Sequence, residues 1–244
     1  MINGIITVRS QSTRLPEKCF LPFGDCNVLE HVIRRAKYFD INPIVCTTIE
    51  DSDDRIVKIA KNEGVRYSRG SVKDKLLRWH HACEEFDIES FVTIDADDPF
   101  FDGELSHESF EMLDRSFDFV MHPPQQPYCG FYEGCVGYSL TSDIILKACK
   151  IKQTDETEMM WHFIEQVPGL RKIKLEIPSE NNLSPIRLTL DYIEDYWLLL
   201  TVLRILDMHA TQKDIKKLFM SNPNLHEVNW FRNDEYKATH VAKI

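Results

Sequence analysis

Residues 2–47, INGIITVRSQSTRLPEKCFLPFGDCNVLEHVIRRAKYFDINPIVCT, decide the fold. The run over 2–8 is short, β-branched and apolar throughout instead of alternating, which reads as a strand buried on both faces. A polar loop, RSQSTRLPEK, leaves it. From Asn27 the apolar residues Val28, Leu29, Val32, Ile33 and Ala36 recur at helical spacing, and 43–47 is strand-like again. This is a β-loop-α-β unit.

The alternation continues outward. The spacing predicts a helix over 53–62 ended by Gly64, a strand near 65–67, a helix over 73–85 and a strand over 91–94. Strands separated by helices imply an α/β fold with a mainly parallel, doubly wound sheet. Beyond Asp102 the order loosens into a helix over 105–115, a strand over 118–121 and the Pro-rich turn HPPQQPYCG, whose prolines forbid regular structure. A strand over 131–139 and a helix over 141–149 capped by Thr141 or Ser142 are expected next. Then come a helix over 156–166, strands over 171–177 and 186–190, a long apolar helix over 193–208 and a last helix over 211–219. With no internal repeat and no long linker, residues 1–244 read as a single domain. It carries a small insertion, C-terminal helices and a less regular segment at about 123–185.

Composition narrows the function. Hydrophobic residues make up 43% and charged residues 28%, so neither a disordered nor a fibrous class is favoured. The net charge of −10 argues against a nucleic-acid or anionic-membrane partner, because such surfaces need a basic face. Seven cysteines, odd in number and without a C-x-x-C pair, read as reduced cytosolic thiols. The opening MINGIITVRS lacks a signal-peptide pattern, and no apolar run approaches the roughly 18 residues of a membrane span. A cytoplasmic location is expected.

Two clusters carry chemistry. The loop after the first strand holds Arg9, Ser10, Ser12, Thr13, Arg14 and Lys18, three cations and three hydroxyls in ten residues. These can neutralise and hydrogen-bond a polyphosphate; a solvated polar loop is the alternative. Neither a Walker loop nor a G-x-G-x-x-G fingerprint is present. In TIDADDPFFD the strand runs out into Asp95, Asp97, Asp98 and Asp102. Carboxylates this close repel unless a cation sits among them, and hard oxygen ligands suit Mg²⁺. Capping by Asp102 and a turn role for Asp98 ahead of Pro99 are the alternatives. Asp191 follows the strand over 186–190, where it either caps the next helix or faces the same pocket.

The stretch ITVRSQSTRLPEKCFLPFGDCNVLEHVIRRAK resembles the opening of the SpsF-like (spore-coat polysaccharide) cytidylyltransferases, related to the ketodeoxyoctonate and acylneuraminate cytidylyltransferases, with their A-R-x-x-S-T-R-L-P-G-K pattern. RGSVKDKLLRWHHA resembles R-G-S-x-x-D-x-L-x-R-x-x-x-A, and DADDPFFD resembles G-D-x-P-x-I-D. RLTLDYIEDYWLL is similar to R-x-T-V-D-x-x-E-D-x-x-L, and NPNLHEVNWFRNDEY to N-P-x-x-x-x-I-N-x-x-x-x-R-N-E-G-Y.

The resemblance implies a GT-A-like nucleotidyltransferase fold in which Arg9, Ser10, Ser12, Arg14 and Lys18 hold the phosphates of CTP. Arg9, Arg14, Lys18 and Asp97 would serve catalysis, with Mg²⁺ on Asp97 and Asp191. Ser71 would lie near the cytosine, and Asp74 and Arg78 would line the pocket. The implied reaction passes CMP to an acidic sugar or related acceptor with release of pyrophosphate, in surface polysaccharide or glycoconjugate synthesis. A homodimer is implied as well. Tyr128, Tyr132, Glu133, Glu158, Trp161 and His162 are candidate acceptor contacts. Glu17 stands where the family's loop has glycine, and Asp95 adds a charge beside Ala96–Asp97. Two other readings stay open: the same fold with another nucleotide, and a non-catalytic nucleotide-binding protein, which Glu17 motivates.

Overall fold

The first apolar run is a strand, β1 (Ile2–Thr7), with Ile5 and Ile6 wholly buried on its opposite faces. A computed structural model describes residues 1–113, 116–121, 134–176 and 185–235. After β1 a two-stranded hairpin, β2 (Pro22–Phe23) and β3 (Cys26–Asn27), leads into the helix α1 (Val28–Tyr38). Asn27 caps α1 in a box with Glu30, each side chain bonding the other's N–H at 2.9 Å. Next come β4 (Ile41–Thr48), α2 (Asp54–Asn62), β5 (Arg66–Gly70), α3 (Lys75–Phe86) and β6 (Ser90–Asp95). They alternate as the spacing predicts.

The later elements are α4 (Gly103–Glu111), β7 (Phe119–Met121), β8 (Ser139–Thr141), α5 (Ser142–Ile151), α6 (Met160–Ile164), β9 (Lys172–Lys174), α7 (Ile193–Leu206) and α8 (Gln212–Ser221). The seven-stranded sheet runs β5-β4-β1-β6-β8-β7-β9. β5, β4, β1 and β6 are mutually parallel; β8 alone runs against its neighbours, and β9 is parallel to β7.

Period-two alternation sends Ile5, Ile44 and Phe91 to one face, where they pack with Trp79, Ile145 and Ile164 from α3, α5 and α6. Ile6, Val45 and Val92 go to the other face, against Leu29, Val32 and Ile33 of α1 and Ile56 of α2. Helices on both faces explain why these strands are apolar without alternation. A third cluster joins α7 and α8 to Phe23, Phe100, Leu188 and Leu190. Among the described residues no helix is long and apolar enough to cross a membrane.

Three expectations are corrected. The strand expected over 131–139 begins only at Ser139; 131–133 lie outside the described residues. Gly137 approaches β6 so closely that a Cβ there would meet the Thr93 carbonyl oxygen at 2.1 Å, and Tyr138 donates its N–H to the Thr93 hydroxyl at 2.8 Å. Tyr138 keeps one backbone bond to β6, its carbonyl accepting the Thr93 N–H at 2.8 Å, and the side-chain bond replaces the other.

The helix expected over 156–166 is only α6, because Thr157 is buried against the start of α3. Its hydroxyl donates to Asp74 at 2.8 Å and accepts from the Leu76 N–H at 3.0 Å. The run 186–190 forms no strand among the described residues beyond an isolated bridge at Arg187. Among its backbone bonds, the Leu190 N–H donates to the Asp97 carbonyl at 2.7 Å and the Arg187 carbonyl accepts from the Asn229 amide at 2.9 Å.

Candidate active site

β1, β4 and β6 end at one edge of the sheet, where ligands of parallel sheets gather. A cleft of about 640 Å³ opens there, a size suited to a small molecule. Arg9, Ser12, Arg14 and Lys18 line it from the loop after β1, and Asp95, Asp97 and Asp98 from the loop after β6. Asp191 enters from the segment ahead of α7.

The β1 loop is shaped by a carboxylate the sequence reading did not single out. Asp53, buried ahead of α2, accepts the Ser10 N–H at 2.8 Å and the Ser10 hydroxyl at 2.6 Å. It also accepts from the hydroxyls of Thr47 and Thr48 at the end of β4. Burial alone would raise the Asp53 pKa, but the hydrogen bonds from Ser10, Thr48 and Thr47 hold it below the ordinary carboxylate range. Ser10 therefore faces Asp53 and not the cleft, which places it as an anchor of the loop.

Lys18 sits between two carboxylates from distant parts of the chain. Its Nζ donates to Asp97 at 2.6 Å and to Asp191 at 2.9 Å, while Arg14 donates to the same Asp191 oxygen at 2.5 Å. The other oxygen of Asp191 accepts from Arg187 at 3.1 Å. Burial would raise the Asp191 pKa, yet Lys18 and Arg14 hold it well below the ordinary range. Burial would lower the Lys18 pKa, but Asp97 and Asp191 carry it higher.

Asp97 goes the other way: burial, helped by Asp191 and Asp95, outweighs Lys18 and raises it. Asp98 is raised further by burial and by Asp97 and Asp95, and its buried Oδ1 has no partner among the described residues. Asp95, Asp97 and Asp191 each have a cation bonded to them, from Lys75, Lys18 and Arg14.

Among the described residues no group of three or more His, Cys, Asp and Glu side chains is arranged to hold a metal. Asp97 and Asp191 nevertheless already share one positive charge, the Lys18 ammonium, and both offer hard oxygen donors. Mg²⁺ commonly takes one or two carboxylates and completes its shell with substrate phosphates and water. The donor set fits that use.

Arg9, half-exposed, reaches Glu158 at 3.4 Å, and Glu158 and Trp161 both line the cleft; His162 does not. Ser71 lies outside the lining, its hydroxyl accepting the Asp74 N–H at 3.1 Å. Asp74 is the N-cap of α3, accepting the Leu77 N–H at 3.1 Å, and it also pairs with Lys152 at 2.5 Å. Arg78 lines the cleft and donates to the Ser71 carbonyl at 2.6 Å.

Tyr128, Tyr132 and Glu133 lie outside the described residues. Glu17 is exposed and off the lining, in the left-handed conformation at φ 54°. The backbone keeps the shape a glycine would take there, and the carboxylate stays out of the cleft.

Sequence reasoning missed Lys75, which is buried in the first turn of α3 with its Nζ donating to Asp95 at 3.0 Å. Its signal was present in VKDKLLRW, directly after the capping Asp74. The lining by Tyr138 and Lys174 had none, since β7, β8 and β9 come together only in the fold.

A sequence profile described as Cytidylyltransferase matches residues 3–155. The chain belongs to the cytidylyltransferase family. It is a nucleotidyltransferase enzyme, and transfer of a nucleotidyl group from CTP is its class of reaction. This cytidylyltransferase is 32% identical over 236 residues to an uncharacterized protein of Methanocaldococcus jannaschii, covering 93% of this chain and 94% of the other. It is 26% identical over 204 residues to the spore coat polysaccharide biosynthesis protein SpsF of Bacillus subtilis, covering 79% and 82%. A solved cytidylyltransferase from Leptospira borgpetersenii superposes with a TM-score of 0.82 at 29% identity, over 92% of this cytidylyltransferase and 96% of that chain. The resemblance drawn from the five sequence blocks holds, and so does the mainly parallel α/β fold.

Proposed function

We propose that the enzyme transfers CMP from CTP to an acidic sugar or a related acceptor, releasing pyrophosphate, as a cytoplasmic step in surface polysaccharide or glycoconjugate synthesis. The observation that carries this is the meeting of Lys18 with Asp97 and Asp191, at 2.6 and 2.9 Å, beside Arg14 in one cleft. A polyphosphate needs cations, and its metal needs carboxylates beside them. Both are in place. The name of the Bacillus relative supports the polysaccharide setting.

Arg9, Ser12, Arg14 and Lys18 hold the triphosphate, while Ser10 fixes their loop through Asp53. Asp97 and Asp191 hold Mg²⁺, which when bound neutralises charge on the phosphates. An acceptor oxygen attacks the α-phosphorus in line, the bond to the β-phosphate oxygen breaks, the acceptor loses its proton and pyrophosphate departs. Positioning and charge neutralisation supply most of the acceleration, so no covalent nucleophile is required. Lys75, Lys174 and Trp161 lie in the same cleft, where the cations suit an anionic acceptor. Two copies form a dimer in this reading.

Pyrophosphate release from CTP, UTP, ATP and GTP, each with a panel of acidic sugars, tests the reaction. CTP with at least one acceptor should give release. Binding of CTP without release from any pair would favour the non-catalytic alternative. Asp97→Asn should lower turnover by more than about a hundredfold, beyond the loss expected for an indirect partner of a metal. Its circular dichroism should match the parent, and full activity in that variant would remove Asp97 from the site.

A further inference from the structure

A buried polar network stands behind Asp191. Arg187, Asp195 and Asn229 are completely inaccessible, and Asn233 and Asp191 are nearly so. Arg187 donates from Nε to Asp195 at 3.0 Å, from Nη2 to both Asp195 at 3.2 Å and Asp191 at 3.1 Å, and from Nη1 to Asn233 at 3.1 Å. Asp195 accepts the backbone N–H groups of Asp191 and Tyr192, each at 2.9 Å. Asn229 donates to Asp195 at 2.8 Å and to the Arg187 carbonyl at 2.9 Å.

Stability alone does not call for this arrangement. Burying an arginine and two aspartates carries a desolvation cost that well-packed apolar side chains would avoid. What the network does is geometric. It ties down the backbone on both sides of the Asp191 peptide N–H and one carboxylate oxygen, leaving the other oxygen for Arg14 and Lys18 in the cleft. Two of its members lie some forty residues beyond Arg187, on the segment after α8.

We propose that Arg187 is a positioning residue that aims the Asp191 carboxylate into the cleft, and that Asn229 and Asn233 make the carboxyl-terminal segment part of the active site by holding Arg187. The inference rests on the reading of Asp191 as a ligand of the divalent cation. Ligand carboxylates depend on the hydrogen bonds behind them, and loss of such a partner weakens metal binding or activity about 10–100-fold.

Arg187→Ala would strand two buried carboxylates and endanger the fold, so the test uses Asn233. Its Nδ2 has no partner among the described residues, so Asn233→Asp keeps the oxygen facing Arg187 and gives up no bond. Mn²⁺ binding in the presence of CTP is followed by electron paramagnetic resonance, alongside kcat, the KM for CTP and the folded fraction.

Asn233→Ala should weaken Mn²⁺ binding about tenfold and lower kcat similarly, with the KM for CTP within about twofold of the parent. Asn233→Asp should restore both. Parental Mn²⁺ affinity in Asn233→Ala would overturn the inference, as would losses in both variants that track only the folded fraction. A parent that binds no Mn²⁺ overturns the cation reading and this inference with it. A parent that releases no pyrophosphate, while Asn233→Ala still binds Mn²⁺ more weakly, overturns the transferase reading and upholds the inference.

Discussion

His31 is buried on α1 between Phe23 and Phe100, and its Nε2 meets the Pro99 carbonyl at 2.9 Å, under the acidic loop. Burial pushes its pKa down to about 4 from an ordinary 6.5. Between those values an unfolded chain takes up a proton that the folded one refuses, so stability is complete above pH 6.5 and is lost as the pH falls towards 4. A shift of this size is worth on the order of 3 kcal/mol. Denaturant unfolding of the parent should show that loss, and His31→Gln should flatten it; parallel curves would remove His31 as the cause.

Glu17 makes the opposite point, that a misfit residue can be carried outside the chemistry. Its left-handed backbone costs about 1–2 kcal/mol, of which glycine would return part to unfolded-chain entropy. Glu17→Gly should therefore stabilise by up to about 1 kcal/mol and leave the KM for CTP near the parent, because the side chain is off the cleft. A collapse in activity would show the carboxylate recruited to the site.

At the scale of elements, the β1 loop is held by the start of α2 and the end of β4 through Asp53. Asp53→Ala leaves the Ser10 N–H and the Thr47 and Thr48 hydroxyls without their acceptor, at a cost of about 3 kcal/mol. The KM for CTP should rise as the loop loosens, so calorimetry and kinetics should move together; a stability loss with unchanged KM would separate the loop from nucleotide binding. The elements themselves were legible where local pattern governs. β1, α1, β4, α2 and β6 follow periodicity and caps. The errors at 131–139, 156–166 and 186–190 share one cause: Tyr138 bonds the Thr93 hydroxyl, Thr157 bonds Asp74 and the Lys73 carbonyl, and Arg187 bonds the Asn229 amide, partners far away in sequence that no local window contains.

For the molecule as a whole, the site is walled by the loops after β1 and β6, the segment ahead of α7, the start of α3, the region of α6 and the stretch leading into β8, with Met121 and Lys174 from the sheet edge. A ligand that bridges them stabilises the native state by mass action. CTP with Mg²⁺ at about a hundred times its Kd should add about 2.7 kcal/mol, raising Tm by roughly 5–10 °C for a chain of this length. With CTP and a chelator the rise should shrink, while the chelator alone should leave Tm unchanged. Equal rises with and without the metal would argue against a shared cation.

By itself the sequence determined the parallel α/β fold, the family and the residue types of the site, because periodicity, caps and the five short blocks are local properties of the chain. Only the tertiary structure decided what those residues face. Ser10 turns to Asp53, Asp74 caps a helix, Lys75 joins Asp95, and Lys18 meets carboxylates 79 and 173 positions away. Direction and distance across a sheet are set by how its layers pack, and no stretch of sequence read alone contains them.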